Sequence, residues 1–374
     1  MNILIVKLSA IGDVVHTLPA LAALRRRYPQ AFITWVIEEA AADLIKGHPD
    51  LDRVLVSHRK RWIRDLKKGR LKAVGEILLF LKELRSRRYD IVIDFHGLLK
   101  SSLIVWGAAA ARKIGYDSLQ ELSGFFVNER VPEDLDKHAV DRYLDLVRYL
   151  EKNQGRTPGA LNSPGGTVFS NSADQAKFLI PIGEDEEQRI AGLRAAKGLT
   201  GRFVAINPVA LWKTKLWDDE KFARLGERIV AELMLPVVFT GSDKQEIHRI
   251  QSLMSLPSVN LAGETSLKEL ACLYRHAALL ITTDSGPMHI AAAMGTPVVA
   301  LFGPTDARRT GPYGKGHRIV STDISCRPCF KKKCSLGECM HGITVASVFR
   351  AAAELLFSKP ALPGEAPPGD GPLH

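Results

Sequence analysis

Hydrophobic and polar positions fall in blocks along this chain, not in simple alternation. NILIVKL (residues 2–8), FITWVI (32–37), DIVIDF (90–95) and KIGY (113–116) are short apolar runs in the first half. FVAIN (203–207), PVVFT (236–240), LLIT (279–282) and VVALF (298–302) repeat the pattern in the second. Such uninterrupted runs, rich in Val and Ile, predict parallel strands covered on both faces. Between them the period shifts to that of a helix. Residues 14–28 carry Val15, Leu18, Leu21, Ala22 and Leu24 on one face, and 72–87 carry Val74, Ile77, Leu78, Leu81 and Leu84. Further helices are expected over 138–150, 218–234, 267–276 and 344–356.

The alternation of strand and helix predicts an α/β protein with two doubly wound, Rossmann-like domains in tandem. EKNQGRTPGALNSPGGT (151–167) is the only long Gly- and Pro-rich stretch inside this rhythm, and it reads as an interdomain linker. The expected organisation is a first domain over 1–155, a linker at 156–170 and a second domain over 171–342. A C-terminal helix at 343–358 and a Pro/Gly-rich, disordered tail at 359–374 complete it.

Composition narrows the class. With 46% hydrophobic and 25% charged residues the chain has a globular balance, and no run reaches the roughly 18 apolar residues of a membrane span. The start MNILIVKLSA lacks the basic opening and long apolar core of a signal peptide, which predicts a cytoplasmic protein. A net charge of +10 favours an anionic partner. No nucleic-acid-binding motif is present, so nucleic acid is not expected. Neither half has a G-x-G-x-x-G turn after its first strand, and no G-x-x-x-x-G-K-[ST] loop occurs, which disfavours a dinucleotide dehydrogenase and a P-loop NTPase.

Candidate chemistry lies at the strand ends. LLITTDSGPMHIAAAMGTPVVALFGPTD (279–306) reads as strand, helix, strand, with Asp284, Ser285, Gly286 and Pro287 at the helix start. A helix that begins where a strand ends can bind an anion through its free N–H groups, with His289 about one turn in. Gly12 and Asp13 fall in the expected loop after the first strand. There Asp13 can face a cleft as a general base or cap the following helix. His96 and Lys100 follow the 90–95 strand. Arg59, Lys60, Arg61 and Arg64 surround Trp62 in the basic stretch HRKRWIRDLKKGRLK (58–72).

Five segments occur together in one order: KLSAIGDVVHTLPAL (7–21), DFHGLLK (94–100), KTKLW (213–217), TDSGPMH (283–289) and LFGPT (301–305). The chain thereby resembles the bacterial lipopolysaccharide heptosyltransferases, and its basic segment is most similar to heptosyltransferase I. The resemblance implies a GT-B fold, two Rossmann-like domains facing across a cleft. It also implies inverting transfer of heptose from ADP-heptose to Kdo-lipid A at the inner face of the inner membrane, with no required cofactor and no catalytic metal. Heptosyltransferase II, another GT-B sugar-nucleotide transferase and a non-catalytic lipopolysaccharide-binding protein are the alternatives.

On this resemblance Asp13 is the base and Lys215 the lysine that meets the phosphate. Asp284, Ser285, Gly286 and His289 serve the donor. Gly12, Arg59, Lys60, Arg61, Arg64, His96 and Lys100 serve the acceptor. Relatives often carry a Glu for the adenosine ribose where this chain has Gln245 followed by Glu246, so Glu246 is the donor-side candidate. Cys326, Cys329, Cys334 and Cys339 lie within 14 residues. Thiols so spaced can hold a structural zinc or stay free, and the spacing matches no standard zinc finger.

Overall fold

Among the described residues twelve strands form, and every pairing among them is parallel. The computed structural model describes residues 1–117, 124–152 and 176–357. The expected linker and tail lie outside these residues. In the first half the strands are β1 (Asn2–Val6), β2 (Phe32–Glu38), β3 (Arg53–Ser57), β4 (Tyr89–Asp94), β5 (Ala110–Tyr116) and β6 (Glu129–Val131). The second half holds β7 (Val204–Asn207), β8 (Val237–Phe239), β9 (Val259–Asn260), β10 (Leu279–Thr283), β11 (Val298–Leu301) and β12 (Arg318–Val320).

The two sheets have one topology. The first runs β3-β2-β1-β4-β5-β6 and the second β12-β11-β10-β7-β8-β9, the same order read from the other end. In each, the order reverses between the first and fourth strands of the half, β1/β4 and β7/β10. Ligands bind at the carboxyl ends of such switch points, where the two crossovers leave in opposite directions.

The four strands that the apolar pattern does not reveal are β3, β6, β9 and β12, the four edges of the two sheets. Edge strands are short and carry charge on their open side, as Arg53 and Arg318 do, so no continuous apolar run marks them. Helices at Arg59–Lys67, Leu99–Gly107, Glu184–Ala196 and Lys244–Ser252 are likewise additions.

One expected helix face is corrected. In the Lys72–Leu84 helix Ala73 and Leu84 are buried, Phe80 and Leu81 pack against the sheet's apolar cluster and Ile77 is half-buried, whereas Val74 and Leu78 point to solvent. The C-terminal helix, Val345–Phe357, seats Val348, Ala352 and Leu356 in the second domain's core with Trp217 and Phe222.

The halves are joined by more than chain connection. A single apolar cluster runs from Val14, Leu18 and Leu21 on the Ile11–Arg27 helix through Met288, Ile290 and Ala291 on the Gly286–Ala293 helix. Those two helices begin at the two switch points, so the packing that joins the domains also brings their active edges together.

Candidate active site

Asp13 lies in the first turn of the Ile11–Arg27 helix, not in the loop expected before it. Its carboxylate turns back to accept the Ala10 N–H at 3.2 Å, a bond that steadies the helix start. The side chain still keeps 39% exposure. Beneath it is Lys7, 3% exposed at the end of β1. Its ammonium donates to the Phe95 carbonyl at 2.9 Å and the Tyr143 hydroxyl at 2.6 Å, and stands 3.9 Å from Asp13 Oδ2. Burial lowers the Lys7 pKa, and the charges of Asp13 and Asp94 oppose that fall. A fixed cation under the carboxylate holds it in place.

The carboxyl ends of β1 to β4 gather the basic residues. Glu38, last in β2, has a side chain only 4% exposed and sits among three cations from two helices. Arg59 reaches it at 3.1 Å, Lys60 at 3.6 Å and Lys100 at 4.0 Å. Lys100 also donates to Ser9 Oγ at 2.7 Å, and burial lowers its pKa against the pull of Glu38. His96 stands beside them with its pKa lowered to about 2, by burial first and then by Lys7, Lys100 and Arg59. It is therefore neutral. Asp94 shapes this loop by accepting from the His96 and Gly97 backbone and from Ser101 Oγ.

Arg61 and Arg64 point elsewhere: Arg61 pairs with Glu76 at 2.7 Å, and Arg64 approaches Asp65 at 3.8 Å. The structure thus brings Arg59, Lys60, His96 and Lys100 into one patch and leaves Arg61 and Arg64 on its flank.

In the second domain, Lys215 ends a turn after β7 and Asp284 follows β10, its neighbour in the sheet. Lys215 Nζ meets Asp284 Oδ2 at 2.6 Å, and Thr305 Oγ1 donates to the same oxygen at 2.6 Å. Asp284 therefore does not cap the helix. Ser285 is the N-cap, and its hydroxyl lies 3.3 Å from Thr282 Oγ1. Glu246 sits half-buried in the first turn of the Lys244–Ser252 helix, while Gln245 faces solvent.

The two edges meet at glycines. A Cβ on Gly12 would lie 2.3 Å from His289 Cδ2, and one on Gly286 would lie 2.9 Å from Ile11 Cβ. The absence of those side chains lets the helix starts touch. His289 uses the gap: its Nδ1 stands 2.9 Å from His16 Nε2 across the domain boundary. His138 stacks edge-on to His16 at 5.1 Å between ring centroids and bonds the Gly311 carbonyl at 3.0 Å. Tyr313 donates to Asp141 at 2.9 Å beside it.

Sequence reasoning gave no role to Lys7, His16, Glu38, His138 or Thr305. A lysine inside an apolar strand and a glutamate closing one were the available signals for Lys7 and Glu38. The histidine contacts had none.

No disulfide joins the four clustered cysteines. Cys339 is buried, Cys329 half-buried, and Cys326 and Cys334 are exposed. Backbone N–H groups of Gly337 and Leu336 lower the Cys334 pKa. Among the described residues the grouping of three metal-ligating atoms is instead Glu187, Cys272 and His276, where Arg275 pairs with Glu187.

Two doubly wound domains with opposed switch points form the GT-B arrangement, the fold of a large class of sugar-nucleotide glycosyltransferases. The chain belongs to glycosyltransferase family 9 (heptosyltransferase), which matches residues 77–340, and it is a glycosyltransferase. It is 29% identical over 338 residues to lipopolysaccharide heptosyltransferase 1 of Pseudomonas aeruginosa, covering 90% of this chain and 88% of that protein. Among solved structures it is similar to a family 9 glycosyl transferase from Veillonella parvula, with a TM-score of 0.77 and 25% identity over 96% of this chain and 98% of that one. It is also similar to E. coli heptosyltransferase WaaC with ADP, at 0.69 and 25%, covering 95% of this chain and 100% of that one.

Proposed function

We propose that this heptosyltransferase moves L-glycero-D-manno-heptose from ADP-heptose to Kdo-lipid A, as a peripheral protein on the inner face of the inner membrane. The observation that carries the reading is the meeting of helix starts at Gly12 and Gly286. It turns the Asp13 carboxylate and the Lys215–Asp284 pair toward one cleft.

Asp13 takes the proton of an acceptor hydroxyl, and that oxygen attacks the anomeric carbon from the face opposite ADP. The bond from that carbon to the diphosphate oxygen breaks, ADP leaves, and the configuration inverts. Lys215 compensates the charge growing on the diphosphate, and the Gly286–Ala293 helix start adds backbone N–H groups. Asp284, released from Lys215 as the phosphate arrives, is free to accept from a sugar hydroxyl, with Thr305 holding its orientation. Glu246 serves the ribose. Arg59, Lys60 and Lys100 bind the carboxylates and phosphates of the acceptor, with neutral His96 beside them and Arg61 and Arg64 on the approach. The cysteines take no part in the step.

The likeness to heptosyltransferase 1 of Pseudomonas aeruginosa supports the first-heptose assignment, and the likeness to WaaC with ADP supports the donor. Mass spectrometry of the product tests both. One heptose should be added to Kdo-lipid A, and none to an acceptor that already carries a heptose. Transfer only to the heptosylated acceptor, or only from UDP- or GDP-sugars, overturns the reading.

A further inference from the structure

Two neighbouring helices of the first domain present apolar side chains outward, where a water-facing helix carries polar ones. On the Lys72–Leu84 helix the exposed residues are Val74, Leu78 at 61% and Leu79 at 57%, with Leu71 at 80% just before it. Positions 71, 74 and 78 fall on one stripe of a helix. On the Leu99–Gly107 helix they are Leu99, Leu103 at 58% and Trp106 at 66%, again one stripe, at spacings of four and three. Ile63 and Leu66, both exposed, continue the surface on the Arg59–Lys67 helix.

These faces belong to one surface. A Cβ on Gly107 would lie 3.6 Å from Leu84 and 3.9 Å from Leu81, and Arg85 donates to the Gly107 carbonyl at 3.0 Å. The rings of Trp62 and Phe80 lie 5.5 Å apart, and Trp62 Nε1 donates to Glu76 at 2.8 Å. Leu84, Ile104 and Val105 share one apolar cluster with the strands beneath, so the Lys72–Leu84 and Leu99–Gly107 helices cover the same face of the first sheet with their outer sides away from it, and the Arg59–Lys67 helix packs beside the first of them.

The rim of this surface is cationic: Lys67, Lys68, Arg70, Lys72 and Lys82 are all exposed. A helix apolar on its outer as well as its inner side needs a second apolar medium. An apolar stripe with an indole and a lysine rim matches the boundary between headgroups and acyl chains of an anionic bilayer. A protein partner would need acidic groups around an apolar groove; a bilayer of acidic lipids supplies both features over any area.

We propose that the outward faces of the Lys72–Leu84 and Leu99–Gly107 helices, carrying Leu71, Val74, Leu78, Leu79, Leu103 and Trp106, dock this protein on an anionic phospholipid bilayer. The role deepens the functional reading above and rests on it for its purpose. Lys100 shares a helix with Leu103 and Trp106 and belongs to the Glu38 patch, so docking sets the acceptor-binding cations at headgroup depth. A lipid-anchored acceptor then reaches them without leaving the membrane.

Co-sedimentation of the full chain with phosphatidylcholine vesicles, with and without phosphatidylglycerol, tests this in the absence of donor and acceptor. The wild type should pellet with the acidic vesicles. Leu78→Glu/Trp106→Glu should weaken that binding at least tenfold, and Lys72→Glu/Lys82→Glu should weaken it severalfold. Both variants should keep the wild-type circular dichroism and their transfer to an acyl-free, water-soluble acceptor. Undiminished vesicle binding by Leu78→Glu/Trp106→Glu overturns the proposal. So does a lipid-free wild-type dimer that this variant converts to monomer, because the face is then a contact between copies. Vesicle binding without any heptose transfer would overturn the functional reading and leave the docking surface standing.

Discussion

His16 and His289, 273 residues apart, face each other across the two domains with Nε2 and Nδ1 separated by 2.9 Å. One ring nitrogen must donate and the other accept, so the contact requires at least one neutral imidazole. Burial drives the His16 pKa well below its usual value, helped by His289, His138, Lys7 and Arg142. Burial also holds His289 at about 4, with His138 and Lys215 lowering it and Asp284 and Asp13 raising it.

These two depressed values set a pH dependence. The unfolded chain binds protons at these histidines near pH 6.5, whereas the folded chain does so at His289 only near pH 4 and at His16 only well below the usual value. Stability is therefore full above pH 6.5 and falls as pH drops toward 4, by up to about 1.4 kcal/mol per pH unit for each histidine. Thermal melts across this range should show the loss, and His16→Ala/His289→Ala should flatten it. An unchanged slope in that variant would place the titration elsewhere.

The glycines that admit this contact should be intolerant of a methyl group. Gly12→Ala drives a Cβ into the His289 ring, at the roughly 1–3 kcal/mol typical of overpacking, and should slow transfer by loosening the domain contact. His289→Ala should restore part of the stability lost in Gly12→Ala. It should not help Gly286→Ala, whose obstruction is Ile11. Denaturant midpoints of the single and double variants decide the matter.

Asp13→Asn keeps an oxygen that can accept the Ala10 N–H but removes the base. We expect kcat to fall by about 10²–10⁴, the range for general-base assistance, with melting temperature retained. A variant with near-wild-type turnover would end the assignment of Asp13 as base.

Lys215→Met should weaken ADP-heptose binding and leave Asp284 buried with only Thr305 to satisfy it. Breaking one side of a buried pair costs about 3–5 kcal/mol, and the 15% exposure of Lys215 points to the lower end. Lys215→Met/Asp284→Asn should be more stable than Lys215→Met alone while remaining inactive. Calorimetric titration with ADP and a melting curve give the two readouts.

Glu38→Gln removes the charge that gathers Arg59, Lys60 and Lys100. Its expected signature is a raised KM for acceptor with little change in KM for donor, since the Lys215–Asp284 pair belongs to the other domain. A change confined to the donor would contradict the division of labour between the two halves.

By itself the sequence determined the two α/β halves, because strands buried on both faces must read as apolar runs and their covering helices must show a 3.6-residue period. It also marked the strand ends where Asp13, His96, Lys215 and Asp284 stand, since Gly, Pro and cap residues punctuate those turns. The edge strands β3, β6, β9 and β12 escaped it, because half-exposed strands of two to five residues carry too little apolar pattern to be seen.

Only the tertiary structure decided which of these residues meet. That Glu38 collects Arg59, Lys60 and Lys100 depends on strand order, which places the ends of β2, β3 and β4 close together although they are far apart in sequence. The exposure of Val74 and Leu78 was equally out of reach, because a period shows that a helix has an apolar stripe but not how wide the sheet beneath it is. The contact of His16 with His289 needed both domains folded and packed, since no local pattern encodes a partner 273 residues away.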